Sequence, residues 1–123
     1  MDVDMVTEGA SFTYTLEEAS HTITVTNVDA AAGAVSITAV GNITVTNTGG
    51  ITASGSANIS INSSAGRIRS NAADDDAAEI ITAGGTITLE ANTGIADSSG
   101  SDGFEIDSSG GNITLISDGT GTV

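Results

Sequence analysis

Acidic side chains are the residues of this chain whose type and spacing suggest chemistry. Asp74, Asp75 and Asp76 form an uninterrupted run, with Glu79 close behind, and Asp102 and Asp107 fall in a second acidic stretch. Hard oxygen donors at this density are what calcium takes, so Asp74, Asp75, Asp76, Asp102 and Asp107 are the candidate ligands. Glu105 and Asp107 pose a second chemistry. They flank Ile106 at i and i+2, which on a strand places both carboxylates on one face, with Asp97, Asp102 and Asp118 near in sequence. Paired carboxylates are the machinery of glycoside hydrolysis. The plainer reading of both groups is a solvated acidic surface. Other reactive constellations are missing from the sequence. His21 is the single histidine, so neither a triad nor a histidine metal site can be built around it. Cysteine is absent, which excludes disulfides and thiolate zinc sites. The nucleophile elbow, the P-loop and the dinucleotide fingerprint do not occur.

Composition narrows the classes further. The 123 residues suit one domain, and sixteen acids face two bases, Arg67 and Arg69, for a formal charge of −14. Nucleic-acid binding depends on neutralising phosphates with Lys and Arg, so that class is excluded, and so is attraction to anionic membranes. No apolar run approaches the roughly 18 residues of a membrane span. The opening "MDVDMVTEGA" lacks the basic and apolar regions of a signal peptide. Aromatic residues are few (Phe12, Tyr14 and Phe104), and slim β-branched side chains dominate the apolar set. Sixteen glycines and many Ser, Thr, Asn and Asp residues supply turns.

What must position the acids is a repeated phrase. The pattern apolar–x–apolar occurs as Ile23/Val25, Ile43/Val45, Ile59/Ile61, Ile87/Leu89 and Ile113/Leu115, preceded by Thr22, Asn42, Asn58, Thr86 and Asn112. An isolated Ile follows some copies, at Ile51, Ile68 and Ile95. Further apolar clusters contain Val35 and Ile37, Ile80 and Ile81, and Phe104 and Ile106. The alternation is of period two, so these segments predict half-buried strands, and no stretch carries a useful helical period.

Short strands with Gly-rich turns fit either a sandwich or a solenoid. Antiparallel hairpins give no reason to repeat a residue type at the same place in every unit. A parallel solenoid does, because residue k of one coil stacks on residue k of the next, about 4.8 Å away. The expectation is an all-β fold: a parallel β-solenoid, a right-handed β-helix of about five short coils standing roughly 20 to 25 Å tall. The expected apolar columns are Ile23–Ile43–Ile59–Ile87–Ile113 and Val25–Val45–Ile61–Leu89–Leu115. Thr24, Thr44, Ser60, Thr88 and Thr114 form an outward column, with Thr26 and Thr46 beginning another, and Asn42, Asn58 and Asn112 stack at a corner. Residues 70–78 and 97–103 leave the coil as irregular loops. Arg67 and Arg69 point outward and pair with Asp74–Asp76. Residues 1–19, which carry Phe12, Tyr14 and Leu16, form an N-terminal cap or first irregular coil, and residues 20–123 form the repeat region.

The stretches "NITVTNTGGITA" (42–53), "TITLEANTGIADSS" (86–99) and "FEIDSSGGNITL" (104–115) resemble the repeats of filamentous haemagglutinin-type exoproteins and related autotransporter adhesins. The resemblance covers residues 20–118. It implies a right-handed parallel β-helix, displayed outside the cell or on its surface, that works as a stalk or adhesive shaft. The stretch "SGSDGFEIDSSGG" (99–111) also resembles, without their tandem regularity, the Gly-Asp nonapeptide repeats that hold calcium. The expected function is therefore structural or adhesive and non-enzymatic, with no cofactor beyond calcium. Expected partners are further copies or neighbouring repeats at the open solenoid ends, and host-cell or matrix glycans and proteins. An ice-binding solenoid, suggested by the outward Thr residues, and a carbohydrate-active β-helix enzyme are the alternatives. The second Thr column breaks at Asn62, Glu90 and Ile116, and the chain is short for a polysaccharide groove.

Overall fold

A computed structural model of the protein describes residues 2–6, 11–70, 78–97 and 105–119, with the backbone alone at 2–6, 47–49 and 96–97. Every regular element among them is a strand. In chain order these are β1 (Asp2–Val6), β2 (Phe12–Leu16), β3 (Ile23–Asp29), β4 (Val35–Ala39), β5 (Ile43–Ala53) and β6 (Ile59–Ser63). They continue as β7 (Ile68–Ser70), β8 (Ile80–Thr82), β9 (Ile87–Ala91), β10 (Ile95–Asp97), β11 (Ile106–Asp107) and β12 (Ile113–Ser117). All pairings are parallel and join strands of successive coils, so the protein is a β-solenoid.

Two sheets form the walls. One runs β2–β4–β6–β9–β12, a single strand from each coil. The other runs β1–β3–β5–β7–β10, with β8 pairing β5 and β11 pairing β8. The long strand β5 therefore supports two short strands at once, β7 on its first half and β8 on its second. A register shift in β3 between Val25 and Asn27 divides the same wall at the same place. A complete coil thus has three sides, and the described strands make about three turns, fewer than the five coils expected, because the last coil is represented by β12 alone.

The apolar columns are continuous but differ from those expected. In the five-strand sheet Phe12, Val35, Ile59, Ile87 and Ile113 stack, and beside them Tyr14, Ile37, Ile61, Leu89 and Leu115. Ile23 and Ile43 belong to the other wall, where they stack with Ile68 and Ile95. A third column joins Val28, Ile51, Ile80 and Ile106. The expected column of five therefore splits between two faces, because the same Ile-Thr-Val phrase serves both. Its outward partner splits too. Thr24 and Thr44 are in register with Arg69, whereas Ser60, Thr88 and Thr114 continue a column from Thr13 and Ser36.

Burial follows the alternation. β4 and β9 bury every second residue, and Ile23, Ile37, Ile43, Ile51, Ile61, Ile68, Ile80 and Ile87 are solvent-free. Each such side chain contributes about 1.5–3 kcal/mol of burial. β-branched residues suit this interior because their restricted χ1 lets identical shapes nest rung on rung. Polar groups that turn inward at corners find carbonyls. Ser63 Oγ donates to the Gly41 carbonyl and Thr82 Oγ1 to that of Ala57, both at 2.7 Å. No buried side-chain nitrogen or oxygen among the described residues lacks a partner.

Corner spacing is set by close backbone approach. A Cβ at Gly85 would run into the Ala57 carbonyl, and one at Gly111 into that of Gly85. This explains the Gly-Gly that precedes the phrase in the last two coils. Asn side chains bridge coils at the neighbouring position. Asn42 Oδ1 accepts the Arg67 N–H at 3.0 Å, and Asn58 Oδ1 accepts the Thr86 N–H at 2.9 Å. The expected Asn stack is thus two separate bridges on different walls, each holding the coil that follows.

Candidate functional site

Ser70, at the end of β7, and Glu79, just before β8, meet at one corner of the coil. Asp74, Asp75, Asp76 and Asp102 lie outside the described residues, as does the expected pairing of Arg67 and Arg69 with that run. The corner is built from Ser70, Glu79 and Glu105, with Gly50 beneath them.

Glu79 dominates this corner. In the sequence it stands close behind the three aspartates, but it is only 2% exposed. Its carboxylate faces inward and is held by two donors. Ser70 Oγ donates to Oε1 at 3.0 Å, and the Glu105 backbone N–H donates to Oε2 at 2.7 Å. A buried carboxylate is costly unless paired or hydrogen-bonded, and hydrogen bonds to a charged acceptor are about twice as strong as neutral ones. The backbone of Glu79 is equally committed. Its N–H donates to the Glu105 carbonyl at 3.0 Å, and its carbonyl accepts the Ile51 N–H at 2.7 Å.

One residue therefore ties three coils together. Ser70 is the last described residue before 71–77, and Glu105 is the first after 98–104. The Glu79 carboxylate fastens both to the wall. Gly50 makes room for it: its φ is +49°, and a Cβ there would strike the Glu79 carbonyl. The sequence carries the register alone: "AEI" and "FEI" align, which places Glu79 beside Glu105.

Asp107, the described member of the calcium set, is exposed at the end of β11. Its Oδ1 accepts the Ser109 N–H at 2.7 Å and the Ser109 hydroxyl at 3.3 Å. Asp29, in the same column three coils earlier, makes the same turn, with its Oδ1 accepting the Ala31 N–H at 3.0 Å. Ala31 and Ser109 both have positive φ, at 42° and 48°. Asp at these positions shapes the exit from the strand, as Asp does in turns that hydrogen-bond the backbone two residues on. Glu105 is half-buried, while Asp107 is open to solvent. Among the described residues no group of three or more His, Cys, Asp or Glu is placed to share a metal ion.

Arg69 and His21 likewise have local partners. Arg69 Nε donates to Thr44 Oγ1 at 3.1 Å across the coil interface. His21 Nδ1 lies 2.9 Å from Glu18 Oε2 in an exposed pair, an arrangement worth little to stability. No helix among the described residues is long and apolar enough to cross a membrane. Comparison of the chain with known protein families, curated proteins and solved structures finds no match.

Proposed function

We propose that this chain is a structural or adhesive segment of a secreted or cell-surface protein, a stiff non-enzymatic shaft that carries acidic loops along one side. The observation that supports this reading best is the unbroken apolar stacking through five strands of one sheet, with polar corner groups satisfied by neighbouring coils. Such a design invests the sequence in coil-on-coil contact, so stability is a nearest-neighbour sum and the product is a rod. The resemblance of the phrases to haemagglutinin-type repeats points the same way. Recognition belongs to the segments where the repetition fails, and the Glu79 clasp holds the residues that flank them, Ser70 and Glu105.

Beads coated with the chain test this reading. They are expected to adhere to cell-surface or matrix glycans or proteins, and adhesion should fall when residues 71–77 or 98–104 are replaced by Gly-Ser linkers. Turnover of an acidic polysaccharide, lost on Asp107→Asn, would replace this reading with the enzyme reading. Calcium is a separate question about Asp74, Asp75, Asp76 and Asp102. A calorimetric titration with calcium that shows no heat would remove it.

A further inference from the structure

Among the described residues the five-strand sheet ends at β12, without the covering its other strands receive. Ile113 is 44% exposed and Leu115 39%, although the residues below them in the same columns, Ile87 and Leu89, are completely buried. Parallel strands direct the backbone groups of alternate residues to alternate neighbours. Ile87 N–H donates to the Asn112 carbonyl and Asp118 N–H to the Ala91 carbonyl. It follows that Thr114 and Ile116 bond back to β9, whereas the N–H and C=O groups of Ile113 and Leu115 face the open edge. Asn112 repeats a third feature. Asn42 and Asn58 each use Oδ1 to hold the N–H of the following coil, and Asn112 occupies the Asn58 position of the last coil, exposed.

The opposite edge of the sheet is complementary. In β2, Phe12 N–H donates to Ala34 and the Leu16 carbonyl accepts the Val40 N–H, so these residues bond toward β4. The intervening Thr13 and Thr15 are exposed and turn their backbone groups the other way.

We propose that the β12 edge is a docking site for a second copy of this chain, which enters by its β2 edge and continues the parallel sheet head to tail. The inference rests on the shaft reading and deepens it by naming the partner and the register. Phe12 and Tyr14 of the second copy lie over Ile113 and Leu115. Ile113 and Leu115 donate to the Ser11 and Thr13 carbonyls of that copy and accept the N–H groups of its Thr13 and Thr15. Asn112 Oδ1 takes the N–H of its Ser11, as Asn58 takes that of Thr86. Continuity selects this occupant: every column of the sheet extends by one more rung of the kind already present. A tail-to-tail pair would run antiparallel and break all of them. Because the contact is heterologous and does not close on itself, it propagates into filaments. Each copy carries a charge of −14, so assembly should strengthen as salt screens the repulsion.

The test is sedimentation of the whole chain with two single-end variants. Leu115→Lys puts a charge on the β12 edge, and Thr13→Pro removes a donor from the β2 edge, where proline is tolerated on a strand. Wild type is expected to form oligomers that grow with concentration and with salt up to about 1 M, where the Debye length is about 3 Å. Each variant alone is expected to be monomeric, with an unchanged far-ultraviolet spectrum. Their equimolar mixture is expected to stop at dimers, since each supplies one intact end. Ile113→Lys and Thr15→Pro replace either variant if it fails to fold. A monomeric wild type at all salt concentrations, growth that persists in Leu115→Lys, or a mixture that stays monomeric would overturn the proposal. Those results would leave the adhesion of single shafts untouched, whereas polysaccharide turnover would remove the shaft reading and leave the assembly result standing.

Discussion

The five-strand sheet and the Glu79 corner hold coils together by opposite means. In the sheet, like stacks on like: Ile59 on Ile87, Ile61 on Leu89, each buried through repetition. At the corner, unlike residues share one register: Gly50, Glu79 and Glu105 differ in size and charge, and hydrogen bonds do the joining. The difference is one of redundancy. A rung in the sheet has equivalents above and below. The corner depends on a single carboxylate.

Substitutions at the two regions sharpen this contrast. The largest effect is expected from Ile61→Ala, which opens a cavity in the middle of a column and should cost about 2–5 kcal/mol in denaturant unfolding. Glu79→Ala comes next. It leaves the Ser70 hydroxyl and the Glu105 N–H without their acceptor, at about 1–3 kcal/mol for a stranded buried group. Its signature is local: amide exchange at Glu105 and Ile106 should accelerate more than exchange in β6 or β9. Glu79→Gln should be much milder, about 1 kcal/mol or less. One amide oxygen still accepts the Glu105 N–H, and the Ser70 hydroxyl can rotate to accept from the amide nitrogen. If Gln and Ala prove equally damaging, the carboxylate's charge matters beyond its hydrogen bonds. The smallest effect is expected at Asn58→Ala, which removes one exposed bridge to the Thr86 N–H and should cost about 0.5–1.5 kcal/mol by thermal unfolding.

How much of this was legible in the sequence divides along the same line. Period-two alternation and the recurring Ile-x-apolar phrase identify parallel strands and their coil-to-coil stacking. They also place Ile59, Ile87 and Ile113 in one column, as the structure does. The same phrase misled where it serves two walls. Ile23 and Ile43 look identical to Ile59 in sequence, but their partners are Ile68 and Ile95, whose flanking residues carry no such phrase. Local pattern encodes which face of a strand is buried, not which wall the strand joins. That choice is made by turn lengths and by the break near Thr26. Glu79 stands close behind three aspartates in the sequence, a setting that suggests solvent and charge. Its inward orientation depends on Ser70 and on the Glu105 backbone, a partner that composition does not reveal. Asp107 was read for its acidity, whereas its match with Asp29 shows a turn former at a fixed place in the coil.

The central claim is the parallel register itself, and engineered disulfides test it most directly in a chain without native cysteine. Ser60 and Thr88 are outward-facing register partners on adjacent coils, so their Cα atoms lie about 4.8 Å apart, within disulfide reach. Ser60 and Glu90 are two residues out of register, about 8 Å apart and beyond that reach. The measurement is the oxidised fraction of the monomeric double variants, read by intact mass. Ser60→Cys with Thr88→Cys should oxidise nearly completely, and Ser60→Cys with Glu90→Cys should stay reduced. The reverse outcome, or equal oxidation of both, would contradict the stacking on which the account rests.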